Sequence, residues 1–277
     1  MQTAALLPRV RIVLCRPSHA GNIGAVARAM KNMGFRRLSL VQPRRWDSSA
    51  RSEATARSSG AEDLLEGAQV SEDLDSALSR SIFTAGVSAR RRDIGPPLYQ
   101  VRAGAAHLYD RLVELEQYVA GCSAMPEDAR ELIILFGNES SGLSNAELAL
   151  CHGLIQIPSD PDFASLNLAA AVQLVCYEIR MSAFAGIPPQ PGQATPQLMP
   201  LATHAEMRGL YAHLFDVMAR SRFYDPAKPK RLPDKLRRLL QRAAPSSEEV
   251  NILRGILSAV AQFLPEQAER ETDNGAP

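Results

Sequence analysis

Five short apolar runs, Arg9 to Cys15, Leu38 to Val41, Ser81 to Val87, Glu131 to Gly137 and Leu154 to Pro158, alternate with longer stretches of helical periodicity. That alternation leaves few folds open. Runs that are mainly apolar, without a polar residue at every second position along their length, suit strands buried on both faces, so the pattern predicts an α/β domain with a mainly parallel sheet covered by helices on either side. With 277 residues and 45% hydrophobic content the chain can bury a large core and carry an appendage.

The appendage is set off by "GIPPQPGQATPQLMP" after Ala185, a proline- and glutamine-rich stretch that sustains neither a helix nor a central strand. The expected division is a first domain over residues 1–186, a linker over 187–200, a small all-α unit over 201–264 and a frayed tail over 265–277. In the third segment Leu201 to Phe223, Leu232 to Ala244 and Val250 to Phe263 read as amphipathic helices. Two helix starts carry Ser-x-x-Glu capping boxes, Ser144 with Glu147 and Ser246 with Glu249.

Four cysteines without a CxxC pair and five histidines without zinc spacing predict no metal site. The N-terminus lacks a signal-peptide pattern and no segment has the length of a membrane span, so a reduced, cytoplasmic protein is expected, without a membrane partner. Formal net charge is only +1, so any attraction for an anionic partner must be local. It is concentrated between Arg222 and Arg242, where eight Lys or Arg face two Asp. There Arg231, Lys235, Arg238 and Arg242 follow at intervals of four, three and four, which a helix gathers on one face. Such a stripe favours a phosphate backbone as partner. Arg90-Arg91-Arg92 adds a second basic cluster. Phe223 and Tyr224 suit anchoring of the appendage in its own core better than stacking on bases.

Three loops carry polar residues next to strand ends. "SHAGNIGAVARAM", Ser18 to Met30, joins the first strand to a helix, and its glycines suit either a phosphate held on backbone N–H groups or a plain tight connection. "ILFGNESSGLSNAEL", Ile134 to Leu148, ends a buried-type strand at Gly137 and is equally open between ligand site and connection. In "IQIPSDPDFASLNLAAAVQLVCYEIR", Ser165 stands where an N-cap is expected and Asn167 is a poor core residue in the first helical turn. A dinucleotide oxidoreductase needs G-x-G-x-x-G and an acid ending the second strand; only Gly21 and Gly24 are present, and the second run continues into Gln42-Pro43-Arg44-Arg45, leaving at most an NADP reading through Arg44.

Taken together, "SHAGNIGAVARAMKNMGF", "GVSAR", "FGNESSGLSNAEL", "IPSDPDFASLNLAAAVQLVCYEIR" and, near the end, "FYDPAKPKRLPDKLRRLLQRA" resemble the SpoU-TrmD superfamily of knotted RNA methyltransferases and, within it, the TrmJ family of tRNA ribose methyltransferases. The resemblance implies a trefoil knot in the first domain, a homodimer, and S-adenosylmethionine as cofactor. By motif match the cofactor contacts fall on Val87, Ser88, Ala89, Gly137, Ile157, Ala164, Ser165, Leu166 and Asn167, and Asn22, Arg28 and Ser165 are the catalytic set. The implied substrate is the ribose at position 32 of a tRNA anticodon loop, with ribosomal RNA methylation or RNA binding without catalysis as the other readings. Three positions depart from the family's usual residues: Asn138 replaces arginine, Ala164 serine and Val87 threonine.

Overall fold

In the computed structural model, which describes residues 3–89, 95–121, 130–184 and 201–264, a short 3-10 turn (Thr3–Arg9) leads into β1 (Val10–Cys15), α1 (Ala20–Met33), β2 (Arg37–Val41), α2 (Ser48–Ser58), α3 (Glu62–Glu66), β3 (Gln69–Ser71), α4 (Leu74–Leu78) and β4 (Ser81–Val87). The chain continues through β5 (Leu98–Gln100), α5 (Val101–Gly121), β6 (Glu131–Phe136), α6 (Asn145–Ala149), β7 (Gly153–Gln156) and α7 (Leu168–Phe184). Three helices follow, α8 (His204–Arg220), α9 (Leu232–Ala243) and α10 (Ser247–Ala261).

The seven strands form one sheet in the order β3-β2-β1-β6-β4-β7-β5, and every neighbouring pair is parallel. The expected α/β class is what the chain adopts. Its central strands are buried on both faces because alternate residues serve different layers: Ile12, Leu14, Ile134 and Phe136 join the core under α1, α5 and α7, while Val13, Cys15, Ile133 and Leu135 join a second core with α4 and α6 residues. Each such fully buried aliphatic side chain contributes about 1.5–3 kcal/mol, so this double burial, rather than strand propensity, fixes β1 and β6 at the centre. β3 and β5, three residues each at the two edges, have no apolar run to announce them.

Helix α1 buries Ile23, Val26, Ala27 and Met30 and ends at Gly34, whose φ of 85° only glycine adopts at little cost. The Phe35 N–H closes the end on the Met30 carbonyl at 3.0 Å. The two glycines of the first loop have a packing role. A Cβ on Gly24 would lie 2.0 Å from the Ala54 carbonyl oxygen of α2, so α1 and α2 cross backbone to backbone there. The Gly21 N–H donates to the Glu53 carboxylate at 3.2 Å. Both glycines thus lie within α1, where a turn was expected, and the Gly21 N–H is taken up by a neighbouring side chain.

Several expected boundaries move. α8 starts at His204, not Leu201, because Thr203 and Glu206 form a capping box, and Leu201 bridges to Ser246 instead. Ser165 does not cap α7: Asn167 does, its side-chain oxygen accepting from the Ala169 N–H at 2.9 Å. Two residues closer to the helix, it reaches the orphan N–H that Ser165 cannot. Arg231 precedes α9 as its N-cap residue, so the basic stripe begins just outside the helix. Tyr224 packs near Phe215, ring centres 5.9 Å apart, whereas Phe223 is 72% exposed and anchors nothing. The stretches 187–200 and 265–277, the cluster Arg90-Arg91-Arg92 and Cys122 lie outside the described residues.

Candidate active site

Because β1, β6, β4 and β7 are neighbours and parallel, the loops leaving their carboxyl ends meet along one edge of the sheet. Those loops hold the residues singled out by sequence. Val87 ends β4; the Ser88 N–H donates to the Ile155 carbonyl at 3.0 Å, and Gln156 Nε2 donates to the Ala89 carbonyl at 3.2 Å. Ile157 leaves β7, and Ser159 Oγ donates to the Ala164 carbonyl at 3.1 Å. Gly137 is pressed against the Gly142–Leu143 backbone, where a Cβ would come within 2.1 Å, so its own loop requires a glycine.

The loops are stitched together by the Glu139 carboxylate. It accepts from Ser18 N at 2.9 Å and Ser18 Oγ at 2.7 Å, His19 N at 3.2 Å and Asn22 Nδ2 at 3.1 Å. Burial opposes its ionisation, but these donors outweigh it and hold the carboxyl down at about 2. Since the carboxylate can only accept, Asn22 must present Nδ2 to it and turn Oδ1 outward, where Asn167 Nδ2 donates at 3.2 Å. Asn167 in turn takes the Ala169 N–H on its own oxygen. An oriented chain of hydrogen bonds thus runs from the start of α7 through Asn167 and Asn22 to Glu139.

Asn138 has a different task from its motif neighbours. Its Nδ2 donates to the Arg16 carbonyl at 2.7 Å, and its Oδ1 accepts from Ser140 N and Oγ, so it organises the turn between Gly137 and Gly142. Arg16, at a φ of 52°, pairs with Glu147 at 2.7 Å and braces α6 against the same turn. Sequence spacing gave no sign of Ser18 or Arg16 as supports, because their partners lie more than a hundred residues away.

Arg28 is not part of this stitching. It lies on the α2 side of α1, exposed, with Nη1 donating to Ser59 Oγ at 3.2 Å. Ser165 is exposed and has no hydrogen-bond partner among the described residues. Phe163 and Leu166 beside it are 80% and 36% exposed. Among the described residues no His, Cys, Asp or Glu side chains cluster as a metal site would require, and no helix is long and apolar enough to cross a membrane.

The model of the SpoU rRNA methylase family matches residues 9–177, and that of the C-terminal domain of the tRNA methyltransferase TrmJ matches 205–273. The chain belongs to the SpoU methylase family, in its TrmJ branch. The TrmJ of Pseudomonas aeruginosa, a tRNA (cytidine/uridine/adenosine-2'-O-)-methyltransferase, is 44% identical over 91% of this chain and 94% of its own length. That of Sodalis glossinidius, a tRNA (cytidine/uridine-2'-O-)-methyltransferase, is 38% identical over 98% and 99%. A crystal structure of TrmJ from Zymomonas mobilis superposes with a TM-score of 0.70 at 29% identity, covering 91% of this chain and 98% of that one. The family assignment removes the nicotinamide reading, and the TrmJ-type C-terminal helices separate this chain from plain ribosomal RNA methylases.

Proposed function

We propose that this chain transfers a methyl group from S-adenosylmethionine to the ribose 2′-oxygen of a tRNA nucleotide in the cytoplasm, position 32 of the anticodon loop being its target. The observation that carries this reading is the meeting of four loops at one sheet edge, fixed by the Glu139–Asn22–Asn167 chain, in a TrmJ-family fold. The residues there suit the cofactor: Phe163 and Leu166 stand uncovered beside partly buried Val87 and Ile157, apolar surface that an adenosine and a methionine chain would cover. Val87, Ser88, Ala89, Gly137, Ile157, Ala164, Ser165 and Leu166 would hold it, chiefly through backbone. When bound, it supplies a methyl group activated by a sulfonium.

The protein's own share is alignment and charge. A neutral hydroxyl is a weak nucleophile, so its oxygen must be held in line and its growing negative charge offset. Ser165, exposed and unpartnered, orients that hydroxyl. Arg28, exposed and bonded only to the Ser59 hydroxyl among the described residues, supplies the positive charge. It is not the base, because a guanidinium stays protonated. Asn22 has both amide ends engaged, so its part is to keep the first loop in register with α7.

The reading includes a homodimer, supported by the outer face of α7, where Leu174, Tyr177, Met181 and Phe184 are each at least 40% exposed. It also includes tRNA contact through Arg231, Lys235, Arg238 and Arg242, and the trefoil knot, which the insertion of β6 between β1 and β4 supports. The test is to incubate the purified protein with total tRNA and labelled S-adenosylmethionine and map the product by mass spectrometry. Label on a ribose at position 32 is expected; label on a base, or none, would overturn the reading. Arg28→Ala should lower transfer by about a hundredfold or more with cofactor binding by calorimetry unchanged.

A further inference from the structure

Between the two parts of the chain lies a cleft of about 1190 Å³ that the reaction described above does not use. Gly95, Pro96, Leu154 of β7 and α6 line one side, α8 with Asp75 of α4 lines another, and α9 lies across it, held to α6 by Gln241 Nε2 donating to the Ala149 carbonyl at 2.7 Å. α9 itself buries no residue. Of the basic stripe, Arg231, Lys235 and Arg238 line this cleft, and none of their side chains has a hydrogen bond or ion pair among the described residues. They border a partly open cleft shared with α6, where a solvated stripe would only face bulk water.

The lining carries five Lys or Arg and two Asp. Both acids have cationic neighbours: Asp75 is 2.7 Å from His204 and 3.7 Å from Arg208, and Asp234 is 3.8 Å from Arg237. The rest is largely apolar, with Leu150, Leu154, Tyr211 and Phe215. One further donor points to a ligand. His152 lines the cleft, stacked on Phe83 at 5.2 Å, and its Nδ1 accepts the Thr84 N–H at 3.0 Å. The neutral ring must therefore carry its proton on Nε2, which has no partner among the described residues. Unpaired cations and a ring N–H donor beside an apolar wall that includes Tyr211 and Phe215 of α8, with Arg237 over both rings at 5.9 and 5.4 Å, form the combination that holds an unpaired nucleic-acid strand, with phosphates on the cations and bases against the apolar wall.

We infer that this cleft takes a single-stranded segment of the RNA substrate, threaded between α9 and α6, so that the appendage grips unpaired nucleotides in addition to duplex backbone. This rests on the RNA-modifying reading above and names where an unpaired part of that substrate is held.

The test uses the full-length protein and a short fluorescein-labelled oligouridylate, with a duplex of the same length and uridine monophosphate as further arms. Ala212→Trp and Ala146→Trp place bulk in the cleft from exposed positions without altering charge. Two such sites keep the test open if one variant fails to fold. Both should weaken oligouridylate binding at unchanged salt slope. Lys235→Ala with Arg238→Ala should weaken it and reduce the slope by about 1.4, roughly 0.7 per lost contact on a single strand. Binding as tight as wild type in both tryptophan variants, equal affinity for the duplex, or full competition by the mononucleotide would overturn the inference. Methyl transfer to tRNA is measured alongside. Its absence with oligouridylate binding intact defeats the enzymatic reading alone, and its presence with plugged variants that bind normally defeats the cleft alone.

Discussion

Glu139 shows how one side chain can tie two distant segments together. Its carboxyl, ordinarily near 4.5, is held at about 2 because hydrogen bonds from Ser18 and Asn22 outweigh the cost of burial. A lowered folded-state value means stability that is fully present above the unfolded value and is lost as pH falls toward the folded one. Glu139→Gln should therefore cost about 1–2 kcal/mol near neutral pH, after discount for partial exposure. The difference from wild type should shrink between pH 4.5 and about 2, as urea denaturation at several pH values will show. A difference that does not change across that range would mean the carboxylate is not the stitch. Of this arrangement the sequence revealed the loop and its acid; it could not reveal Ser18 or Asn167 as partners, since a hydrogen bond across more than a hundred residues leaves no periodic trace.

At the scale of elements, what was legible follows from burial. Strands β1, β4 and β6, buried through most of their length, announce themselves as mainly apolar runs, whereas β3 and β5 at the edges are too short to form a pattern. Capping boxes at α6 and α10 were readable because both partners lie within one turn. Glycines were ambiguous for the converse reason: Gly24 looks like a turn residue in the chain, yet its role is the close crossing of α1 over Ala54. Gly24→Ala inserts a methyl against backbone that cannot rotate away, so the two helices must part. We expect a loss of about 2–3 kcal/mol, and a melting temperature lower by several degrees. Glycine-to-alanine exchange in a helix otherwise stabilises, so a rise in melting temperature would refute the close crossing.

The molecule as a whole joins the sheet edge that carries the proposed site to a basic appendage by a few specific contacts. Arg130, entering β6, donates to the Leu201 carbonyl and to Ser247 Oγ, and His204 pairs with Asp75. These contacts hold the α8–α10 core, built on Met207, Leu210 and Val250, against the sheet. What the single chain leaves uncovered is the outer face of α7. Leu174, Tyr177, Met181 and Phe184 recur at helical spacing on the helix that follows the catalytic loop, and each is at least 40% exposed. An apolar stripe of that size on a globular protein marks an interface, and a two-fold pairing of α7 with its copy would cover both stripes at once. Tyr177→Glu with Met181→Glu would bury four carboxylates at such an interface, where the nearby Arg102 of each copy is already paired with Glu178, at a cost of several kcal/mol. The variant should elute as a monomer of half the wild-type mass by light scattering, with unchanged circular dichroism, since neither side chain is part of the core. Methyl transfer should fall with dimerisation, because Ser165 and Asn167 lie in the segment just before α7 and depend on where that helix is held. A variant that stays dimeric would move the interface elsewhere and leave the exposed stripe without a partner.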